Sequence, residues 1–155
     1  MRKPQRHKGH KEKLKNLCAL CVFVVFSSGI NMKILIIDDE ADIRKIARLG
    51  LGRVGKMDVV EADNGTEGVR KAEEEKPDAI LLDVMMPVMD GPSTLAALRD
   101  NPRTAGIPII FLTAKAMTSE VERLKGLGAI GVITKPFDPM QFPLQVRSML
   151  DGKQV

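Results

Sequence analysis

Three aspartates, one threonine and one lysine carry the chemistry this sequence suggests, and each closes an apolar run. Asp38 and Asp39 follow "ILII", Asp83 follows "ILL" in "ILLDVMMPVMDG" (80–91), Thr113 ends "IIFLT", and Lys135 follows "GVIT". A carboxylate buried inside such a run costs free energy unless it finds a partner. Clustered aspartates raise one another's pKa unless a cation comes between them. An all-oxygen set selects a hard ion, and Mg²⁺ commonly takes one or two carboxylates together with water and phosphate oxygens. Asp39 and Asp83 are candidate direct ligands, joined by the backbone carbonyl of Met85 and, through water, by Asp38; Mn²⁺ is an alternative ion. With the metal screening an incoming phosphoryl group, Asp83 becomes usable as a nucleophile, while Lys135 and Thr113 hold phosphate oxygens. No side chain in the set is suited to act as a general base. Phosphoryl transfer fits, because positioning and electrostatics carry its catalysis.

For these residues to meet, the runs before them must be neighbouring strands. From Met32 onward, strand and helix patterns alternate. Strands are predicted at 33–37, 58–62, 79–83, 107–113 and 129–134, with helices between and after them. The first helix carries Ile43, Ile46, Ala47, Leu51 and Val54 at three-to-four spacing. The others are predicted near 66–75, 92–100, 118–127 and 139–150. Five strands alternating with five helices predict an α/β fold with a doubly wound parallel sheet. Such a sheet brings every strand's C-terminal end to one rim, where open α/β folds bind ligands.

Charge is unevenly spread. The 155 residues carry a net +4, but residues 1–31 hold seven Lys/Arg against Glu12 alone, which leaves −2 on the remainder. The basic character belongs to the tail, so direct nucleic-acid binding by the folded part has no support. Cys18 and Cys21 form a lone C-x-x-C there, without the second pair or flanking His that zinc requires; packing is the simpler reading, and His7 and His10 read as solvated. The apolar run "LCALCVFVVF" (17–26) is short for a bilayer span. With Ser27, Ser28 and Gly29 behind it, it suits a secretory signal or a surface anchor. Another reading is upstream sequence translated from a misassigned start, since Met32 directly precedes the first strand. Residues 1–31 are expected to lie outside the fold, and a membrane partner is expected only if they are real.

"ILIIDDE", "AILLDVMMPVMDG", "IIFLTA" and "GVITKPFDP" together resemble the receiver domain of two-component response regulators. The match covers about residues 32–150 and leaves 151–155 as a tail. The gaps agree with the family: 44 residues from Asp39 to Asp83, 30 to Thr113 and 22 to Lys135. The resemblance implies a five-stranded (βα)5 flavodoxin-like sheet of order 2-1-3-4-5. It also implies that Asp83 accepts phosphate from a phosphohistidine of a sensor histidine kinase or phosphotransfer protein. Asp38 and Asp39 resemble the metal-binding pair, Thr113 the hydroxyl that moves to the phosphate, and Lys135 its cationic partner, with a cis Lys135–Pro136 bond. The expected protein is a cytoplasmic stand-alone switch that handles its own phosphorylation and turns over no separate substrate. Its message is expected to pass to another protein through residues about 117–149.

One position departs from the family. Three residues before the lysine, where members commonly carry Tyr or Phe, stands Val132, and the chain has no tyrosine. A degenerate receiver that binds partners without phosphorylation therefore remains an alternative. So does a small metal-dependent phosphohydrolase, although "DDE" lacks the D-x-D spacing usual there. Phe111 and Phe137 read as packing residues, Lys115 as a solvated lysine with a possible influence on acyl-phosphate lifetime, and Met85, Met86 and Met89 as loop packing or a kinase-contacting surface.

Overall fold

The computed structural model describes residues 31–115 and 117–152. The readings made for Cys18, Cys21, His7, His10 and the run 17–26 fall outside the described residues.

Five strands form one parallel sheet: β1 (Lys33–Ile37), β2 (Asp58–Ala62), β3 (Ala79–Asp83), β4 (Ile109–Thr113) and β5 (Gly131–Thr134). Their order is β2-β1-β3-β4-β5, the flavodoxin-like arrangement expected. Period-two alternation explains why these strands are apolar almost throughout: each contributes to two cores. On one face Ile34 and Ile36 of β1, Leu81 of β3 and Ile110 and Leu112 of β4 meet Ala47 and Leu51 from the first helix and Phe142 and Val146 from the last. On the other, Leu35, Ile37, Ile80, Leu82, Ile109 and Phe111 meet Ala72, Leu95, Leu98 and Leu124. Helices thus cover both faces. α1 (Ala41–Arg48) and α5 (Phe142–Leu150) lie on the first, and α2 (Gly65–Glu75), α3 (Gly91–Asp100) and α4 (Thr118–Gly126) on the second.

The first helix departs from its expected course. After Arg48 it widens into a π-helical stretch, Leu49–Val54, in which the Gly55 N–H reaches back five residues to the Gly50 carbonyl at 2.9 Å. Wider turns advance less around the axis per residue. Leu51 stays fully buried, while Val54, expected on the apolar face, is 43% exposed. The stretch also brings Gly50 against the last loop, where a Cβ would stand 2.6 Å from the Pro139 carbonyl oxygen.

Strand starts differ by two residues in β4 and β5. Pro108 has no N–H for a ladder; its carbonyl still accepts from Ile80 N–H at 2.9 Å, while Ile107 N–H turns back to the Thr104 carbonyl at 3.1 Å. Before α5, the Asp138 carbonyl accepts from both Gln141 and Phe142 N–H, a turn that delays the helix from 139 to Phe142. Asn64 caps α2 by accepting from Glu67 N–H, and Asp90 caps α3 by accepting from Ser93 N–H, as the short polar residues before these helices dictate.

Candidate functional site

The register of the sheet brings the candidate residues together. Ile37 pairs with Leu82, and Asp83 with Leu112, so the chain after β1, the end of β3 and Thr113 at the end of β4 share one rim. Thr113 in turn pairs with Thr134, one residue before Lys135. Asp38 continues the β2 pairing, its N–H donating to the Ala62 carbonyl at 3.2 Å. Its Oδ1 accepts from Glu40 N–H at 2.8 Å, and its carbonyl accepts from the Arg44 guanidinium at 2.7 Å. These bonds fix a carboxylate that is wholly buried.

Asp38, Asp39 and Asp83 each turn an oxygen toward the others, all within 4.8 Å. Asp39 is exposed, whereas Asp83 retains 4% of its surface. Into this cluster comes the Lys135 ammonium, 2.7 Å from Asp38 Oδ2, 3.1 Å from Asp83 Oδ1 and 3.4 Å from Glu40 Oε1. The Lys135–Pro136 bond is cis. The Lys135 N–H donates to the Thr113 carbonyl at 2.7 Å, and Thr113 Oγ1 accepts from Lys115 N–H at 3.1 Å. The Met85 N–H donates to the Asp83 carboxylate, holding that stretch of backbone beside it.

Burial dominates the electrostatics. It pushes Asp83 up to about 6, helped by the charge of Asp38 and opposed by Lys135 and the Met85 N–H. Asp38 is raised too, again chiefly by burial. For Lys135, burial works against the ammonium, but Asp38 and Asp83 outweigh it and hold the lysine above its ordinary value. Lys135 thus favours both carboxylates as anions without fully offsetting their loss of water.

The oxygen set fits a small hard cation. Asp38 Oδ2 is buried and takes no well-aligned hydrogen bond, its partner being the ion pair to Lys135. Three carboxylates against one ammonium leave net negative charge where two of the three, Asp38 and Asp83, are withdrawn from water. Asp38, Asp39 and Asp83 can offer oxygens to one ion, with the Met85 backbone alongside.

Glu40 is a participant that the sequence reading did not single out. Its only signal was adjacency to the aspartate pair, and its carboxylate folds back toward Lys135. Arg44 joined the site just as quietly, one helical turn into α1. Val132 is half-buried and packs on the core that contains Phe111. Phe111 is fully buried, and Phe137 stacks on Phe142 with ring centroids 3.9 Å apart. The methionines divide: Met86 is 8% exposed, Met89 lies against Gly65 at the start of α2, and Met85 is 74% exposed. A cavity of about 540 Å³ between α1 and the start of β2, lined by Lys45, Arg48, Arg53 and Met57 among others, holds none of the candidate site residues.

Comparison with known proteins identifies the family and agrees with the fold. Residues 34–147 match the response regulator receiver domain. The Bacillus subtilis alkaline phosphatase synthesis transcriptional regulatory protein PhoP is 40% identical over 128 residues, covering 81% of this chain and 51% of that protein. The Bacillus subtilis transcriptional regulatory protein ResD is 42% identical over 120 residues, covering 76% and 48%. The chain spans about half the length of these curated relatives. Among solved structures, the Vibrio cholerae chemotaxis protein CheY4 superposes with a TM-score of 0.71 at 31% identity, covering 77% of this chain and 98% of that one. A response regulator from Desulfuromonas acetoxidans gives 0.69 at 26% identity, covering 77% and 96%. On its sequence motifs, its sheet order and these matches, the chain belongs to the response regulator receiver domains of two-component systems.

Proposed function

We propose that the domain, residues 32–150, is a phosphorylation-dependent switch whose acceptor is Asp83. The observation that carries this reading is the Lys135 ammonium spanning Asp38 and Asp83 inside a cluster of three carboxylates. An Asp83 oxygen attacks phosphorus on a donor phosphohistidine of a sensor kinase or phosphotransfer protein. The P–N bond breaks, and the imidazole leaves with the electron pair. Lys135 keeps Asp83 ionised for the attack and then pairs with the new phosphoryl oxygens, joined by the Thr113 hydroxyl. Asp39, Asp83 and the Met85 carbonyl, with Asp38 through water, would hold Mg²⁺ or Mn²⁺, which when bound would supply positive charge to screen the incoming phosphoryl group.

The modified state then changes a protein-binding surface drawn from about 117–149, which comprises α4, β5 and α5. The cytoplasm, where such donors are charged from ATP, is the compartment that suits this chemistry. Among the described residues no helix is long and apolar enough to cross a membrane. Val132 favours a second reading, partner binding without phosphorylation.

One experiment separates the two: intact mass after incubation with acetyl phosphate, with and without Mg²⁺, beside Asp83→Asn. A single phosphoryl adduct that requires both Mg²⁺ and Asp83 supports the switch. A folded, Mg²⁺-bound chain that takes no phosphoryl group from acetyl phosphate or from a phosphohistidine donor supports the second reading.

A further inference from the structure

The cavity of about 540 Å³ beside α1 takes no part in the chemistry described so far. Asp58 borders it, and Asp58 pairs with Lys33 where β2 and β1 begin, at the opposite end of these strands from the carboxylates. Small-molecule pockets commonly enclose about 300–1,000 Å³, so its size suits one. The π-helical stretch Leu49–Val54 supplies one wall through Leu49, Gly52 and Arg53. Widened turns of this kind are frequent at functional sites. The wall is fixed from behind: the Gly55 carbonyl accepts from the Arg147 guanidinium at 2.6 Å, and Gly50 rests against Pro139. The cavity is therefore formed before any ligand arrives.

Its lining has two characters. Met57, which is buried, Val59 and Leu49 are apolar, and Leu49 leaves half its surface in water. Lys45, Arg48 and Arg53 are exposed cations, with Asp58 the carboxylate among them. Three minus one leaves +2 on the lining of a domain that carries −2. These cations are weakly committed. Lys45 meets Asp42, and Arg48 meets Glu61, only at 3.5 Å with both cationic side chains well exposed, and such pairs are worth little. Arg53 has no partner among the described residues.

We infer that this cavity binds a small organic anion, its apolar body against Met57, Val59 and Leu49 and its carboxylate or phosphate head against Lys45, Arg48 and Arg53. Such a site is independent of the phosphoacceptor chemistry. An inorganic anion would leave the apolar floor uncovered, and a neutral apolar molecule would leave the cations unused. Only a molecule with both parts satisfies both. Gly52 keeps the space open. A Cβ there would meet only the Met57 carbonyl oxygen, at 4.0 Å, an ordinary contact, so a leucine fits the backbone and occupies the space.

The test follows the amide NMR signals of the isotope-labelled full chain as anilinonaphthalene sulfonate, an anion on an apolar body, is added. Its uncharged parent, phenylnaphthylamine, and inorganic sulfate present each half alone. The expected result is saturable, one-to-one movement of the Gly52, Arg53 and Val59 signals, with either half binding about tenfold more weakly or worse. Arg53→Gln should weaken binding about tenfold, the scale of one charge-assisted hydrogen bond. Gly52→Leu should abolish it. Arg53 is exposed, so its variant stays folded even if the leucine disturbs the helix. Decanoate and phenyl phosphate then compete with the probe: displacement by the first assigns a carboxylate ligand, by the second a phosphate monoester. No movement, or movement confined to other residues, overturns the site. Equal binding of the uncharged parent, indifference to either variant, or displacement by neither competitor overturns it as well.

Discussion

Replacing Gly91 with alanine tests how tightly the acceptor strand is held. A Cβ there would stand well under 3.0 Å from the Asp83 carbonyl oxygen, 2.8 Å from Val84 Cα and 3.1 Å from Phe111 Cε1. Two of the three obstacles are backbone, so no rotamer change relieves them, and the Gly91 N–H is meanwhile tied to the Val84 carbonyl at 2.9 Å. Overpacking of this kind costs about 1–3 kcal/mol, and the upper end applies because the clash is with main chain. Alanine's better helix propensity returns at most about 1 kcal/mol. The net loss is therefore about 2 kcal/mol, or a fall in Tm of about 6–10 °C for a domain of this size. Relief of the clash displaces Asp83 relative to Lys135, and misplacement by ~1 Å can cost about a hundredfold in rate. Thermal unfolding and the rate of acetyl phosphate modification read the two effects. Gly126→Ala is the control: nothing lies within 4 Å of its Cβ, so alanine should be neutral or stabilising by about 0.4–1 kcal/mol. A Gly91→Ala protein as stable and as reactive as wild type would refute the reasoning. A destabilised but fully reactive one would refute the link from Gly91 to Asp83.

Leu81→Ala, at a fully buried position of β3, should cost about 2–5 kcal/mol, seen as a lower urea midpoint with an unchanged slope. Asp90→Ala removes the α3 cap and should cost about 1 kcal/mol at neutral pH. Its hydrogen bonds from Ser93 hold the Asp90 carboxyl below the ordinary aspartate range. That stability is therefore present above the unfolded pKa and lost as pH falls through the folded one, so urea curves of the two proteins should converge in acid. Mg²⁺ at ten times its Kd should stabilise the domain by about 1.4 kcal/mol, reversibly with EDTA. Asp39→Asn, at an exposed position, should weaken that response while leaving metal-free stability nearly unchanged; a melting temperature indifferent to Mg²⁺ would remove the metal site from consideration.

The strands were readable because burial on both faces leaves runs such as Ile34–Ile37 with no polar interruption, and the rim residues because each run ends abruptly in a charge or hydroxyl. The sheet order came from family resemblance, since alternation alone does not say which strands are neighbours. What escaped was set by tertiary contact. The widening at Leu49–Val54 sets Gly50 against Pro139, about 90 residues away, and helical periodicity carries no trace of it. Ile107 looked like strand because it is apolar, yet its N–H is already committed to a turn. Glu40 gave only its position beside two aspartates, while its approach to Lys135 required the fold. The methionines of one short loop looked alike, and only coordinates separate buried Met86 from exposed Met85.

The place of β1 between β2 and β3 sets a schedule for synthesis. The run Ile34–Ile37 gains its first neighbour when β2 emerges, but its second, β3, ends at Asp83. At about 5–20 residues per second, the ribosome needs roughly 2–9 s to cover that interval. Until then one edge of this apolar strand lies open in the nascent chain. Lys33 before it, and Asp38, Asp39 and Glu40 after it, are the kind of flanking charges that discourage association of such a strand with other chains. The carboxylates of the site thus have an earlier task, guarding the strand that will later position them.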